Sequence, residues 1–219
     1  MIRLDNGVLR AGIGARGAEL LSLCGGDGTE YIWQRDSRYW DRSAPILFPY
    51  VGRLGSGRCT FDGREYRLPL HGFAPESEFA VVERTDASVI LALADSAQTR
   101  ACFPFRFLLR VRYALEERTL SVAVEVENRG KGPMYFGLGG HPGIRVPLAN
   151  GLRFEDYRVV FKSPCAPQRI VLGEDRLISG RAEPFPLVDG RVLPLQRSLF
   201  NVDAVVLTGM ADALTIGTP

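Results

Sequence analysis

The chain has 219 residues and a mass of 24.2 kDa, and its composition of 46% hydrophobic and 24% charged residues is ordinary for a globular protein. Disorder, collagen and coiled coil are excluded. Twenty-seven Lys and Arg residues against twenty-five Asp and Glu give a formal net charge of +2 at pH 7. This charge gives no reason to expect a nucleic acid or an anionic membrane as a partner.

Cysteine spacing and the N-terminal sequence bear on redox state and location. Cys24, Cys59, Cys102 and Cys165 lie far apart without a C-x-x-C pair, so neither a zinc site nor a redox motif is predicted. The first residues lack the basic-then-apolar layout of a signal peptide, and no apolar run approaches the ~20 residues of a membrane span. We therefore expect a reduced, cytoplasmic protein.

Two neighbouring segments alternate between apolar and polar residues with the period of a β-strand. From Phe105 to Leu115 every second side chain is large and apolar, and Leu120, Val122, Val124 and Val126 repeat the pattern after a polar turn. Together the two segments predict a long antiparallel hairpin.

Shorter strands separated by Gly, Pro, Asn or Asp are predicted along the rest of the chain, and this spacing is typical of an all-β sandwich. Only residues 35–40 and 96–102 resemble helical turns, and neither is long enough to connect parallel strands. We therefore predict a single β-sandwich domain over residues 1–219. The shorter strands are predicted at residues 8–13, 18–23, 30–33, 58–61, 65–68, 79–83, 88–94, 134–137, 152–160, 169–172 and 204–207.

A glycine pattern near the N-terminus matches the dinucleotide-binding fingerprint. Gly12, Gly14 and Gly17 follow a predicted strand, but only seven residues separate the last of them from Gly25 and Gly26. The fingerprint requires a helix of full crossover length at this point. We interpret the pattern as a hairpin turn.

The chain has only two histidines, His71 and His141, and both lie among turn residues. His71 lies in Pro-Leu-His-Gly-Phe and His141 in Gly-Gly-His-Pro-Gly, where glycines allow the backbone to approach a ligand. Imidazole titrates near neutrality, so both residues are candidates for proton transfer to a small molecule. Two alternatives remain open, namely histidines held in loops by backbone hydrogen bonds and a two-histidine metal site, for which no third ligand lies nearby.

An apolar segment from Ala44 to Val51 ends in Gly52-Arg53. The guanidinium of Arg53 could bind hydroxyl or carboxylate oxygens, although an arginine paired with a surface carboxylate is also common. Nearby aromatic residues could form a platform for a sugar ring, although core packing is their usual role. These aromatic residues are Trp33, Tyr39, Trp40 and Phe48.

Five short motifs follow one another along the chain: Gly17-Ala18-Glu19-Leu20, Tyr31-Ile32-Trp33, Ala44-Pro45-Ile46-Leu47-Phe48-Pro49 with Gly52-Arg53, His71-Gly72-Phe73-Ala74, and Gly139-Gly140-His141-Pro142-Gly143. In this order they resemble the aldose 1-epimerases, or galactose mutarotase-like proteins, and most closely the bacterial branch with the GGHP form of the second histidine motif. The resemblance covers essentially the whole chain. It implies a β-supersandwich of large antiparallel sheets that interconverts the α and β anomers of a free aldose, such as an aldohexose, without a cofactor or a metal.

The resemblance also implies roles for individual residues. His141 would be the general acid that protonates the ring oxygen, and His71 would hold a sugar oxygen beside it. Arg53 and Asp203 would bind the sugar.

One family feature is not found in this sequence. Relatives carry a base glutamate in an Ile-Glu-Pro-Trp-like motif near the C-terminus, and this chain has no such segment; its last glutamate is Glu183 and its last aspartate is Asp212. We therefore expect a fold that is incomplete at the C-terminus, either as part of a longer protein or as a shortened homologue.

The absent motif keeps other functions open. A non-catalytic carbohydrate-binding module, or an inactive homologue, is the main alternative to an isomerase. A glycosidase using Glu76 and Glu78 is a weaker one, because the sequence does not fix the distance between the carboxyl groups that such chemistry requires.

Overall fold

The computed structural model describes residues 1–219, which form antiparallel sheets with a single short α-helix. The all-β prediction is thus confirmed. The chain divides into two compact units, Met1–Arg145 and Val146–Pro219, which are described separately. The assignment of the whole chain to one domain stays a prediction.

The first unit holds four sheets and the α-helix. Their strand orders are β1-β2-β3, β10-β9-β8-β7, β11-β4 and β5-β6, and all pairs are antiparallel. The elements are β1 (Ile2–Asp5), β2 (Leu9–Ile13), β3 (Leu20–Gly25), β4 (Ile46–Leu47), β5 (Arg58–Phe61), β6 (Arg64–Arg67), β7 (Ala80–Arg84), β8 (Ser88–Ala94), α1 (Ala97–Cys102), β9 (Phe107–Glu116), β10 (Thr119–Asn128) and β11 (Gly139–Gly140).

The predicted long hairpin is confirmed as β9 and β10, which pair from Thr119↔Glu116 to Asn128↔Phe107. The alternation in β9 buries Phe107, Leu109 and Val111 completely, because β9 has hydrogen-bonded strands on both sides and one face on the core. In β10 the same alternation leaves Val122 46% exposed, since β10 is the edge strand of its sheet.

Phe48 joins the core of the first unit to the segments that carry the histidines. Its buried ring contacts Phe107 at a centroid distance of 5.1 Å and Phe103 at 5.7 Å. Its carbonyl oxygen accepts hydrogen bonds from the backbone N–H groups of Phe73 and Ala74, both at 3.0 Å. The chain after His71 is therefore fixed to the aromatic core.

The glycine pattern at residues 12–17 forms a turn between antiparallel strands, as we predicted. β2 pairs directly with β3, from Leu9↔Gly25 to Ile13↔Leu20, and no helix follows the third glycine. Gly17 has a φ of +71°, and a Cβ there would lie 2.7 Å from the carbonyl oxygen of Pro75. The glycine is thus required by the turn and by close backbone packing.

The second unit consists of two three-stranded antiparallel sheets, β15-β12-β17 and β14-β13-β16. Tyr157 and Phe161 supply large buried side chains within it. Its strands are β12 (Arg158–Phe161), β13 (Gln168–Leu172), β14 (Ile178–Pro184), β15 (Val192–Pro194), β16 (Val206–Thr208) and β17 (Leu214–Gly217).

Some segments differ from the predicted secondary structure. Residues 134–137 form no strand, and residues 30–33 contribute only the isolated bridges Cys24↔Glu30 and Ile32↔Ile144. Residues 35–40 form one turn, whereas residues 96–102 form α1 with Ser96 as its N-cap. Short apolar runs do not specify whether a partner strand lies within hydrogen-bonding distance, and this is the reason for the differences.

None of the helices in the structure could cross a membrane.

Candidate functional site

The loop that carries His141 is held by backbone hydrogen bonds from two sides. On one side, the N–H of His141 donates to the carbonyl of Pro45 at 3.1 Å, and the N–H of Gly143 donates to that of Ser43 at 2.6 Å. On the other side, the N–H of Trp33 donates to the carbonyl of Gly143 at 2.8 Å. A Cβ at residue 143 would lie 2.9 Å from the Ser43 oxygen and 2.8 Å from the Trp40 ring, so glycine is required there.

The loop that carries His71 has an unusual backbone. His71 has a φ of +65° and Gly72 one of +76°. A Cβ at residue 72 would lie 2.2 Å from the carbonyl oxygen of Phe48, a distance that no side chain can accept. Only glycine therefore allows the chain to pass Phe48 while His71 projects from the left-handed region of φ and ψ.

Two hydrogen bonds with Gly52 fix the orientation of His71. The N–H of His71 donates to the carbonyl of Gly52 at 2.9 Å, and the N–H of Gly52 donates to Nδ1 of the His71 imidazole at 3.1 Å. Because Nδ1 accepts this hydrogen bond with its lone pair, the neutral ring carries its own hydrogen on Nε2. His71 therefore has a hydrogen-bond donor at its far edge.

The two imidazoles lie side by side although 70 residues separate them in the sequence. The ring centroids of His71 and His141 are 5.5 Å apart, with an edge-to-face angle of 83°. Burial lowers the pKa of His71 below its usual value, and the neighbouring His141 and Arg53 lower this pKa further. At neutral pH His71 is thus a neutral donor, whereas the exposed His141 ring has no carboxylate partner.

Trp40 packs against His141, a contact that the sequence does not reveal. The ring centroids lie 4.9 Å apart at an angle of 32°. The backbone carbonyl of Trp40 accepts a hydrogen bond from Nε1 of Trp33 at 2.8 Å, which joins the two tryptophans. Only the aromatic composition of residues 33–40 pointed to this region, and it could not distinguish a sugar platform from a support for a histidine.

The other aromatic candidates have different environments. Phe48 is a core residue, as the packing alternative proposed, and Tyr39 is 77% exposed and packs edge-on against Trp33 at a centroid distance of 6.4 Å. Arg53 is exposed, and its charge acts on His71. No side-chain ion pair holds its guanidinium, so the surface ion pair considered for Arg53 does not form.

The fourth predicted site residue, Asp203, belongs to the second unit. It is exposed there, its Oδ2 lies 3.6 Å from Nε of Arg176, and its Oδ1 accepts a hydrogen bond from the N–H of Ala204 at 2.8 Å. Glu183 is an exposed residue of β14 in the same unit. The sugar-binding role of Asp203 stays a prediction.

The two carboxylates considered for glycosidase chemistry have different environments. Glu76 is ion-paired with both Arg16 and Arg42, and Glu78 forms a bridge with Arg16 through the backbone. Glu76 therefore has a structural environment that does not favour a catalytic acid. The structure has no group of three or more His, Cys, Asp or Glu side chains arranged to hold a metal ion.

Several known proteins are similar to this chain in sequence. Residues 1–173 match the aldose 1-epimerase family. The plasmid-encoded protein LacX of Lactococcus lactis subsp. lactis is 31% identical over 214 residues, which are 94% of this chain and 71% of LacX. The chromosomal LacX of the same organism is 32% identical over the same shares.

Solved structures agree with this similarity. A galactose mutarotase related enzyme from Lactobacillus acidophilus superposes with a TM-score of 0.94 at 31% identity, over 99% of this chain and 73% of that one. A galactose mutarotase-like protein from Lactobacillus casei gives 0.91 at 35% identity, over 100% and 76%. The match over most of the sequence, the shared fold and the paired histidine loops lead to one conclusion: this chain belongs to the aldose 1-epimerase family.

Proposed function

We propose that the chain binds a free aldose and interconverts its α and β anomers by general acid and base catalysis. The observation that carries this proposal is the pair of imidazoles, 5.5 Å apart on separate loops, of which one is fixed as a neutral Nε2–H donor. A sugar ring oxygen and the neighbouring hydroxyl groups need this combination of a fixed donor and an exchangeable proton.

The two histidines would perform different tasks. His71 would donate its Nε2–H to a sugar oxygen, because Gly52 occupies Nδ1 and a lowered pKa keeps the ring neutral. His141 would deliver a proton to the ring oxygen as the general acid. Its ring is exposed and forms no ion pair, so it can exchange protons with solvent between turnovers.

The reaction also needs a base. The C1 hydroxyl loses its proton as the ring oxygen gains one, the C1–O5 bond breaks, and the open aldehyde rotates and closes on its other face. The base glutamate that the family resemblance implies is absent from this sequence, so Glu183 and Asp212, the last glutamate and the last aspartate, are the first carboxylates to substitute if the chain accelerates exchange. Arg53 and Asp203 are proposed to bind sugar hydroxyls, and a cytoplasmic location is proposed on the sequence alone.

Magnetisation-exchange NMR of the D-galactose and D-glucose anomers tests the proposal. We expect exchange above the buffer rate with the purified chain, and loss of that excess in His141→Ala. Tyr135→Ala is the control, since it removes an aromatic side chain that is 69% exposed and has no ring contact with either histidine. A folded His141→Ala variant with normal exchange would contradict the acid role.

A non-catalytic carbohydrate-binding protein is the second candidate. It is favoured by the environment of the two imidazoles, neither of which is paired with a carboxylate. It predicts heat on titration of the folded chain with an aldose in a calorimeter, together with exchange at the buffer rate. No heat with any aldose would count against both candidates.

A further inference from the structure

Glu19 is a buried carboxylate that lies outside the residues proposed to touch the sugar. The residue is 3% exposed. Its Oε1 accepts hydrogen bonds from two successive backbone N–H groups, Ser43 at 2.5 Å and Ala44 at 3.1 Å, and its Oε2 lies 3.4 Å from Nη1 of Arg42. A buried charge is tolerated only with such partners, and hydrogen bonds to an ionised acceptor are stronger than neutral ones.

The segment bound by Glu19 is the same segment that holds the His141 loop. The carbonyl of Ser43 accepts from the N–H of Gly143, and the carbonyl of Pro45 accepts from the N–H of His141. Immediately after it, Ile46 pairs with Gly140 as part of β4 and β11. One short stretch of backbone therefore joins the Glu19 carboxylate to the backbone of His141.

Glu19 is itself fixed by the core. The hydroxyl of the buried Tyr113 donates to the carbonyl of Ala18 at 2.7 Å, and the N–H of Gly14 donates to the carbonyl of Glu19 at 2.8 Å. Burial raises the pKa of Tyr113, and the charge of Glu19 adds to this effect, so the hydroxyl keeps its proton for this hydrogen bond. The carboxylate thus projects from a rigid part of the β2–β3 turn.

We infer that Glu19 is a positioning residue for His141: its Oε1 fixes residues 43–45, and these set the place of the imidazole beside His71 and Trp40. The inference rests on the proposed function for its effect on turnover, whereas its structural part can be measured without activity. A displacement of about 1 Å at a reacting group can reduce turnover by about a hundredfold.

Three substitutions of Glu19 distinguish the effect of its hydrogen-bond acceptor from the effect of its negative charge. Glu19→Gln keeps an oxygen at the position of Oε1 and removes the charge, so we expect kcat within about threefold of wild type. Glu19→Leu removes the acceptor, and Glu19→Asp keeps the charge but withdraws the oxygens by one C–C bond, about 1.5 Å. For these two variants we expect kcat to fall at least tenfold at nearly unchanged KM, because His141 would act on the transition state more than on binding.

Asp95 provides the matched control. It is a nearly buried carboxylate that accepts a hydrogen bond from the N–H of Phe107 at 3.2 Å and is ion-paired with Arg100. No hydrogen bond joins Asp95, Arg100 or Phe107 to the His141 loop; the ring of Phe107 contacts Phe48, whose carbonyl holds the chain after His71 instead. Asp95→Leu should lower stability by a mechanism similar to that of Glu19→Leu while kcat stays unchanged. An equal loss of kcat in both leucine variants would attribute the effect to general destabilisation and overturn the inference.

Imidazole NMR tests the positioning directly, because the chain has only two histidines and therefore two Cε1–H resonances. His141→Ala and His71→Asn assign them. Removal of the Glu19 acceptor should displace the His141 resonance more than the His71 resonance, since the ring current of Trp40 acts on His141 from 4.9 Å. Glu19→Gln and Asp95→Leu should leave both in place.

The kinetic measurement and the NMR measurement test different claims, so each can give a negative result without the other. If the wild-type chain does not accelerate anomer exchange, the proposed function fails while the NMR comparison still decides whether Glu19 positions His141. An unmoved His141 resonance in folded Glu19→Leu would overturn the inference whatever the activity. If that variant does not fold, Glu19→Asp is judged by the same resonance.

Discussion

At the scale of single residues, His71 combines features that rarely occur together. It has a positive φ, it accepts a hydrogen bond from a backbone N–H at Nδ1, and it lies beside a second imidazole. Strained backbone conformations are often found where function requires a side chain to be held in one place. The hydrogen bond from Gly52 makes the ring a donor at Nε2 and excludes Nδ1–H as the neutral tautomer.

The first prediction concerns the titration of His71. We expect its NMR titration midpoint to lie below the usual 6.5, with an Nε2–H pattern in the neutral form. The midpoint should rise in His141→Ala, which removes one of the causes of the lowered pKa. An Nδ1–H tautomer, or a midpoint above the usual value, would refute this assignment.

The same shift has a consequence for stability. The folded chain binds this proton less readily than the unfolded chain, so protonation favours unfolding. The contribution of His71 is therefore complete above pH 6.5 and is lost as the pH falls through the lower, folded-state pKa. Urea unfolding followed from neutral to acidic pH should show a steeper loss for wild type than for His71→Asn. Parallel losses in both proteins would contradict this linkage.

The second prediction concerns Gly72. Gly72→Ala brings a Cβ to 2.2 Å from the carbonyl oxygen of Phe48, in addition to the cost of a positive φ. Gly52→Ala is the control, because it has a φ of +90° but no atom within 4 Å of its added Cβ. We expect the control to lose about 1–2 kcal/mol in the free energy of unfolding, and Gly72→Ala clearly more. Equal losses would show that the loop can move away from Phe48.

At the scale of elements, β9 and β10 differ because of their positions in the sheet. Both alternate apolar and polar residues, yet only β9 lies between two strands. Leu109 in β9 is completely buried, whereas Val122 in β10 is 46% exposed. The periodicity indicates which residues share a face, but how deeply a face is buried depends on neighbours that come from elsewhere in the chain.

The third prediction follows from this contrast. Leu109→Ala should lower the free energy of unfolding by about 2–5 kcal/mol, because it leaves a cavity in the core. Val122→Ala should change it by less than about 1 kcal/mol, since much of the valine is already in contact with water. Denaturant unfolding of the two variants measures both values. A large loss at Val122 would mean that another surface covers β10 in solution.

At the scale of the whole molecule, the charge is nearly balanced at +2. An uncharged sugar interacts weakly with the long-range field of such a protein, whereas a phosphorylated sugar would be attracted by its arginines. The abundance of arginine alone does not distinguish these substrates, and no phosphate-binding loop was identified in the sequence.

The fourth prediction therefore concerns salt. We expect kcat/KM for anomer exchange of a neutral aldose to change less than about twofold when the ionic strength rises from about 0.01 M to about 1 M, over which the screening length falls from about 30 Å to about 3 Å. Exchange kinetics at several salt concentrations provide the measurement. A steep decrease would indicate that a charged sugar is the better candidate substrate.

Local sequence features were sufficient to predict the antiparallel all-β class, the long hairpin of β9 and β10, the helical turn at α1 and the two histidine motifs. These features depend on local periodicity, capping and turn chemistry, which neighbouring residues specify. The family resemblance, carried by the order of the motifs, was confirmed over residues 1–173. The predicted strand at 134–137 was wrong, because a short apolar run does not specify whether a second strand lies close enough to pair with it.

The assembly of the site depends on contacts between distant parts of the chain, which the tertiary structure shows. It placed Trp40 on His141, Gly52 on Nδ1 of His71 and the Glu19 carboxylate on the N–H groups of residues 43 and 44. These contacts join residues that lie 101, 19 and 24 positions apart, and no local preference encodes them. They exist because the burial of the Phe48 core brings distant loops to one place, where most buried polar groups are paired.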